Sequence, residues 1–256
     1  MKASKILFGI VLFLSAGSGA FAWASAAATS AVVLKDYSGA AAGLFNNMRT
    51  PAALIAGSIV PLGLLGSVPV VEGDDSRTRL LKRGNILVAI ASVLSEIIAI
   101  TYSTIAINKL AEIQYPATAS VVELVINHHE LAWIGTNIHF LGGMLGFGLL
   151  VGNKAFLNFG HRVGKVAACW GVAAFLQCLS IVNRGIAMGS GTLEETSARI
   201  ASNLFTLTTR YIFLVLKKAD GVLSIASIGI FGMSLVLLAK LLLTNPESAT
   251  PKNKTA

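Results

Sequence analysis

Glu96 stands at the centre of an apolar stretch, Asn85–Ile107 (NILVAIASVLSEIIAITYSTIAI), that is long enough to cross a bilayer. A carboxylate at that depth costs roughly 3 kcal/mol to insert, so it marks either a partner or a task. His139 is a second polar group in a comparable setting. Gly135, His139, Gly142 and Gly146 follow one another in steps of four, three and four, which places all of them on one helical face. Gly142 and Gly146 form a GxxxG pair, a spacing that lets another helix approach closely. The glycines therefore direct His139 into a helix–helix contact rather than into lipid.

Helical rise gives the depth of each group. His139 lies about 12 Å inside the stretch Leu131–Val151, counted from the 108–130 side, and Glu96 about 16 Å from the same side. Gln177, in Gly164–Ala187, reaches a comparable depth. A polar cluster of Glu96, His139 and Gln177 follows, with Gly135, Gly142 and Gly146 as packing positions. Three chemistries suit such a cluster: hydrogen bonds that fix the bundle, a ligand or cofactor site, or a path for protons or ions.

Cofactor chemistry is narrower. A bis-histidine haem needs two facing histidines in the membrane, and His139 alone lies well inside a span. His128 and His129 stand at a span entrance, and His161 lies in a loop. A chlorophyll magnesium needs one axial ligand, which His139, His129 or Glu96 could provide. The Glu-x-x-His-x-Arg pattern of light-harvesting antenna proteins is absent, and Glu130 has no arginine near it in the sequence. No HExxH, GxSxG, Walker loop or GxGxxG occurs, so no catalytic or metal-binding set can be assembled. Cys169 and Cys178 are nine residues apart on one expected helix. They fall on opposite faces about 13 Å apart, too far for a disulfide.

The elements that must carry these residues are membrane helices. The 256-residue chain is 54% hydrophobic and only 12% charged, against about 25% charged in a soluble domain. Its net charge of +8 needs no nucleic acid to explain it, because the basic residues lie between and after the apolar stretches. Expected spans are 50–71, 85–107, 131–151, 164–187 and 222–243. Tyr37–Arg49, rich in glycine and alanine, is expected at the interface. Ile200–Leu216 is diluted by Arg210 and several threonines and reads as an amphipathic interfacial helix, with a sixth span as the alternative. The expected fold is thus an all-α integral membrane protein, a bundle of about five transmembrane helices (four to six) plus the interfacial helix. Residues 36–243 form a single polytopic domain, followed by a polar, disordered tail over 244–256.

Charge sets the orientation. Arg77, Arg79, Lys82 and Arg83 follow the first span, and Lys154, Arg162 and Lys165 follow the third. The loop between spans two and three sets Lys109 against Glu112 and Glu123. Loops one and three therefore face the cytosol-equivalent side.

The N-terminus reads as a targeting segment. Lys2 and Lys5 precede a short apolar core, Ile6–Leu14, and Ala20-Phe21-Ala22 offers an A-x-A cleavage signal, giving a cleavable signal peptide over 1–22. Cleavage after Ala20 would leave Phe21 at the head of an acid-poor Ser/Ala-rich stretch reaching about residue 35. This arrangement resembles the bipartite plastid presequences of diatom-type algae, and the resemblance implies a plastid membrane. The ordinary secretory route to endomembrane or plasma membrane is the alternative. The membrane body carries no resemblance to a functional family. The leading expectation is a non-enzymatic, structural or accessory/assembly component of a thylakoid or envelope membrane complex. Lipids and other membrane subunits would be its partners, without nucleic acid. A small proton- or ion-coupled transporter or channel using Glu96 is the alternative.

Overall fold

A computed structural model of the chain describes residues 34–188, 204–218 and 221–243, with side chains described outside 182–188 and 242–243. The presequence, the tail and the Glu194-Glu195 connector lie outside the described residues. Among the described residues five α-helices follow: α1 (Ser38–Ile59), α2 (Ser76–Glu112), α3 (Val121–Met188), α4 (Leu204–Lys217) and α5 (Val222–Leu243). α1, α2, α3 and α5 are each long and apolar enough to cross a membrane. The architecture is all-α, with one isolated β-bridge between Lys35 and Thr118.

α1 begins earlier than the expected span. The stretch expected at the interface is part of the helix, and Ala41 and Phe45 are fully buried against Ala106, Leu110, Leu124 and Val125. Ala41 and Phe45 lie four residues apart on one helical face, and the small Ala41 adds contact while adding little hydropathy. Pro51 is accommodated within α1. Pro61 has no N–H to give to the preceding turn, and the chain widens into a π-helical turn, Val60–Leu65. Its last bond runs from Gly66 N to Pro61 O at 3.0 Å. Residues 67–71 are no longer helical.

The connector to α2 is held by charge. Lys82 Nζ donates to both carboxylate oxygens of Asp74, at 2.9 and 2.7 Å, and to Pro69 O at 2.9 Å. Asp74 also accepts from Val71 N. The Lys82 ammonium, foremost, holds the Asp74 carboxyl below its ordinary value of 3.8. Asp75 caps α2 by accepting from Thr78 N at 3.3 Å. α2 then runs for 37 residues. That is about 55 Å, longer than the apolar layer it crosses.

α3 is one helical run with two interruptions. His129 sits outside helical geometry (φ −129°, ψ 19°), and Gly160 adopts φ +78°, ψ −178°, a conformation open only to glycine. At Gly160 the chain turns back on itself. Gly152 meets Ala168, and Gly171 meets Gly148 O, across two antiparallel arms, 121–159 and 161–188. The arms correspond to the expected third and fourth spans. Cys169 on the second arm is exposed and Cys178 is half-buried, both as free thiols.

α1, α2 and the first arm pack around one another, and α4 lies against the first arm. Leu207 and Leu214 of α4 bury against Ile134. The threonines that dilute its sequence turn inward to their own helix: Thr208 donates to Leu204 O and Thr209 to Phe205 O. α5 is different in kind, because its described side chains are exposed apart from the half-buried Ile228.

Candidate functional site

The polar residues near mid-membrane are organised by α2. Its buried positions are Lys82, Asn85, Ala89, Ser92, Glu96, Ala99, Ser103, Ala106 and Leu110, in strictly alternating steps of three and four. That is the seam of a left-handed helix pair, written in small and polar residues. The outward face carries Leu87, Ile90, Leu94, Ile97, Ile98 and Ile105, all exposed. The usual soluble pattern is reversed, with polar groups inward and apolar groups towards lipid.

The first arm of α3 answers this seam with glycine. A Cβ on Gly135 would come within 2.7 Å of the Tyr102 ring, and one on Gly142 within 3.0 Å of Ser95 Oγ. A Cβ on Gly146 would collide with Ser92, and one on Gly143 with the Glu96 carboxyl. Thr136 Oγ1 lies 3.3 Å from Ser103 Oγ. The two helices are antiparallel in one continuous register, with glycine facing Ser92 and Glu96 of the seam and Thr136 facing Ser103.

His139 is bonded at both ring nitrogens. Ser95 Oγ donates to the His139 carbonyl oxygen at 2.9 Å and lies 3.1 Å from Nδ1. A carbonyl can only accept, so the serine proton is committed there and its lone pair receives Nδ1–H. Nε2 is then the acceptor, taking the Tyr211 hydroxyl proton at 2.7 Å. This network assigns the neutral Nδ1–H tautomer. Tyr102 stacks on the imidazole at 6.4 Å between centroids, and Tyr211 meets it edge-on at 5.3 Å.

Glu96 is fully buried, and among the described residues neither of its carboxyl oxygens has a hydrogen-bond partner. The expected Glu96–His139 pair is not formed. Ser95, the residue before Glu96, takes the imidazole, and the longer glutamate side chain fills the notch over Gly143. Asn85, also on the seam, has both amide atoms unpartnered among the described residues.

Gln177 does not join the cluster: it is exposed on the second arm. Its expected depth is sound, because the hairpin register through Gly148–Gly171 sets it near Gly143. Its direction is not. Six residues beyond Gly171 turn a helix by about 240°, away from the face that meets the first arm. Rise fixes depth and leaves azimuth open.

His129 is buried, edge-on to Phe45 at 6.2 Å and Tyr115 at 5.3 Å between centroids, with Nε2 unpartnered among the described residues. His139 Nε2 is hydrogen-bonded to Tyr211, and His129 lies against the Phe45 and Tyr115 rings. The cavity of about 500 Å³ between the α3 arms is lined by no histidine and no carboxylate.

Sequence reasoning missed Ser95, Tyr211 and Gly143. The seam of small and polar residues on α2 was the signal for the first. Gly143 differs from Gly142 only in the helix face it occupies. Tyr211 follows Arg210, whose charge argued for an interfacial helix. Arg210 instead forms an ion pair with Glu130 at 2.6 Å, the arginine partner that Glu130 lacks in its own stretch of sequence. Among the described residues no group of three or more His, Cys, Asp or Glu could hold a metal ion. Compared with protein-family models, with curated proteins and with solved structures, the chain matches none of them.

Proposed function

We propose that this chain is a non-enzymatic integral membrane protein, an accessory or assembly subunit of a plastid membrane complex. One observation carries the structural reading: His139, the most deeply placed histidine, spends both ring nitrogens on Ser95 and Tyr211 of neighbouring helices. Groups committed in this way specify a packing, each bond contributing about 0.6–2 kcal/mol in a membrane. The outward helices support the subunit part, since α5 exposes large apolar side chains, among them Leu223, Ile230 and Phe231, towards lipid or a partner. The plastid part rests on the Ala20-Phe21 presequence resemblance.

A fluorescent protein fused to the C-terminus of the full chain tests the compartment. Signal coincident with plastid pigment fluorescence is expected, and a plasma-membrane rim would refute the plastid assignment. Native electrophoresis in mild detergent tests the subunit role. The chain should migrate well above its monomer size, and the companion complex should fall in abundance when the chain is deleted. Migration as a monomer would remove the subunit reading.

A second reading is favoured by Glu96, whose carboxyl is enclosed at mid-membrane with no hydrogen-bond partner among the described residues. An uncommitted carboxyl on a polar seam is the kind of group that carries protons or cations. Proteoliposomes would then show pH-dependent flux that Glu96→Gln abolishes. Equal flux in the two proteins, or none in either, would leave Glu96 without a transport role.

A further inference from the structure

The hairpin at Gly160 encloses space that the packing of the bundle does not use. Between its arms lies a cavity of about 500 Å³ with an almost wholly apolar lining that includes Met144, Phe147, Trp170 and Phe175. Its lining on the first arm runs from Met144 to Phe156, about 18 Å of helix, the scale of an acyl chain rather than of a small metabolite. A second cavity of about 390 Å³ lies on the other side of Val151, which lines both. Pro61, Gly66 and Lys154 line this smaller space.

Lys154 makes it selective. The residue is half-buried, and among the described residues its ammonium has no ion pair and no hydrogen bond. The ammonium lies 3.2 Å from where a Cβ on Gly66 would stand, so the glycine leaves room beside it. Arg162 and Lys165 are exposed just beyond the turn, at the same end of the hairpin. Lys154 lines the smaller cavity, which borders the apolar slot at Val151. A cation there, with Arg162 and Lys165 beyond it, complements an anionic head whose hydrocarbon tail passes Val151 into the slot. Water-soluble anions would gain nothing from the slot, and a protein segment would have to arrive from the lipid.

We propose that the Gly160 hairpin binds one anionic phospholipid, with its phosphate at Lys154 and an acyl chain in the cavity between the two arms. The lipid fills the gap between the arms that the cavity marks beside the Gly148–Gly171 contact, and so fixes the second arm against the first. This site is separate from the seam of α2 and does not depend on the compartment or on a companion complex.

The test uses the full chain in mild detergent, exposed to an equimolar mixture of phosphatidylglycerol and phosphatidylcholine, with retained lipid counted by native mass spectrometry. One phosphatidylglycerol per chain is expected. Lys154→Ala should lower its retention about five-fold, Lys154→Arg should restore it, and phosphatidylcholine should be indifferent to both. Ala174→Trp, which projects a ring into the cavity from an exposed position, should abolish retention of either lipid. Equal retention of the two lipids by the unmodified chain would overturn the proposal, as would retention unchanged by Lys154→Ala. A loss in Lys154→Ala combined with no loss in Ala174→Trp would show a headgroup contact without the chain slot, which overturns it equally. Matching unfolding midpoints across the variants exclude misfolding as the cause.

Discussion

The first arm of α3 and α5 are both apolar enough to cross a membrane, yet they solve different problems. The first arm places glycine or a hydrogen-bonding group opposite three polar seam residues of α2, Gly146 at Ser92, Gly143 at Glu96 and Thr136 at Ser103, and sets His139 at Ser95 beside the seam. α5 also contains glycines, Gly229 and Gly232, but nothing lies within 4 Å of where their side chains would stand. The same residue type is indispensable in one helix and incidental in the other. In a membrane, then, apolarity places a helix in the bilayer, but only a patterned polar or small-residue face tells it where to go.

Substitution of the glycines sharpens that contrast most strongly. Gly143→Leu should lower stability by about 3 kcal/mol, because the notch it fills is occupied by Glu96. Gly229→Leu should change it by less than about 0.5 kcal/mol. Unfolding in mixed detergent micelles compares the two, and equal effects would dissolve the distinction between core and periphery. Glu96→Met reverses the sign. Removing an unsatisfied buried carboxyl should stabilise the bundle by about 1–2 kcal/mol. Destabilisation would instead mean that the glutamate holds a partner of its own, such as an enclosed water or ion.

Tyr211→Phe deletes one bond to His139 and should cost about 1 kcal/mol, with Ile230→Ala on the exposed α5 as the indifferent control. The smallest effect lies at the Asp74–Lys82 clamp. Because the folded protein holds Asp74 below 3.8, the clamp contributes above that pH and is lost as pH falls through the lower folded value. Amide exchange at Val71, whose N–H is bonded to Asp74, should therefore accelerate at acid pH relative to the pH trend of the other connector amides. Asp74→Asn should remove that acid-dependent difference.

Much of the helical layout is legible in the sequence. The apolar stretches 85–107, 131–151, 164–187 and 222–243 fall within α2, the two arms of α3 and α5, and four helices are long and apolar enough to cross a membrane. Hydropathy began α1 too late, because Ala41 contributes contact instead. It gave α4 its amphipathic character but not the partner of Arg210, which is Glu130 in a distant part of the chain. What stayed hidden was azimuth. Whether Ser95 or Glu96 reaches His139 depends on a rotation of about 100°, and that is set by the partner helix rather than by local spacing. The three-four seam on α2 held this information, but as a run of Ala, Ser, Asn and Glu it resembles no hydrophobic repeat.

The seam also has a consequence for how the protein is made. α2 carries Asn85, Ser92, Glu96 and Ser103 into the bilayer before the residues that shield them have been synthesised. Its isoleucines and leucines suffice to insert it, yet on its own it would present a polar stripe to hydrocarbon. Only when residues 121–159 follow does that stripe find its glycine-lined cover. Biogenesis of this chain therefore has a built-in waiting step, in which α2 must be kept from lipid, or from the wrong neighbour, until the next helix arrives.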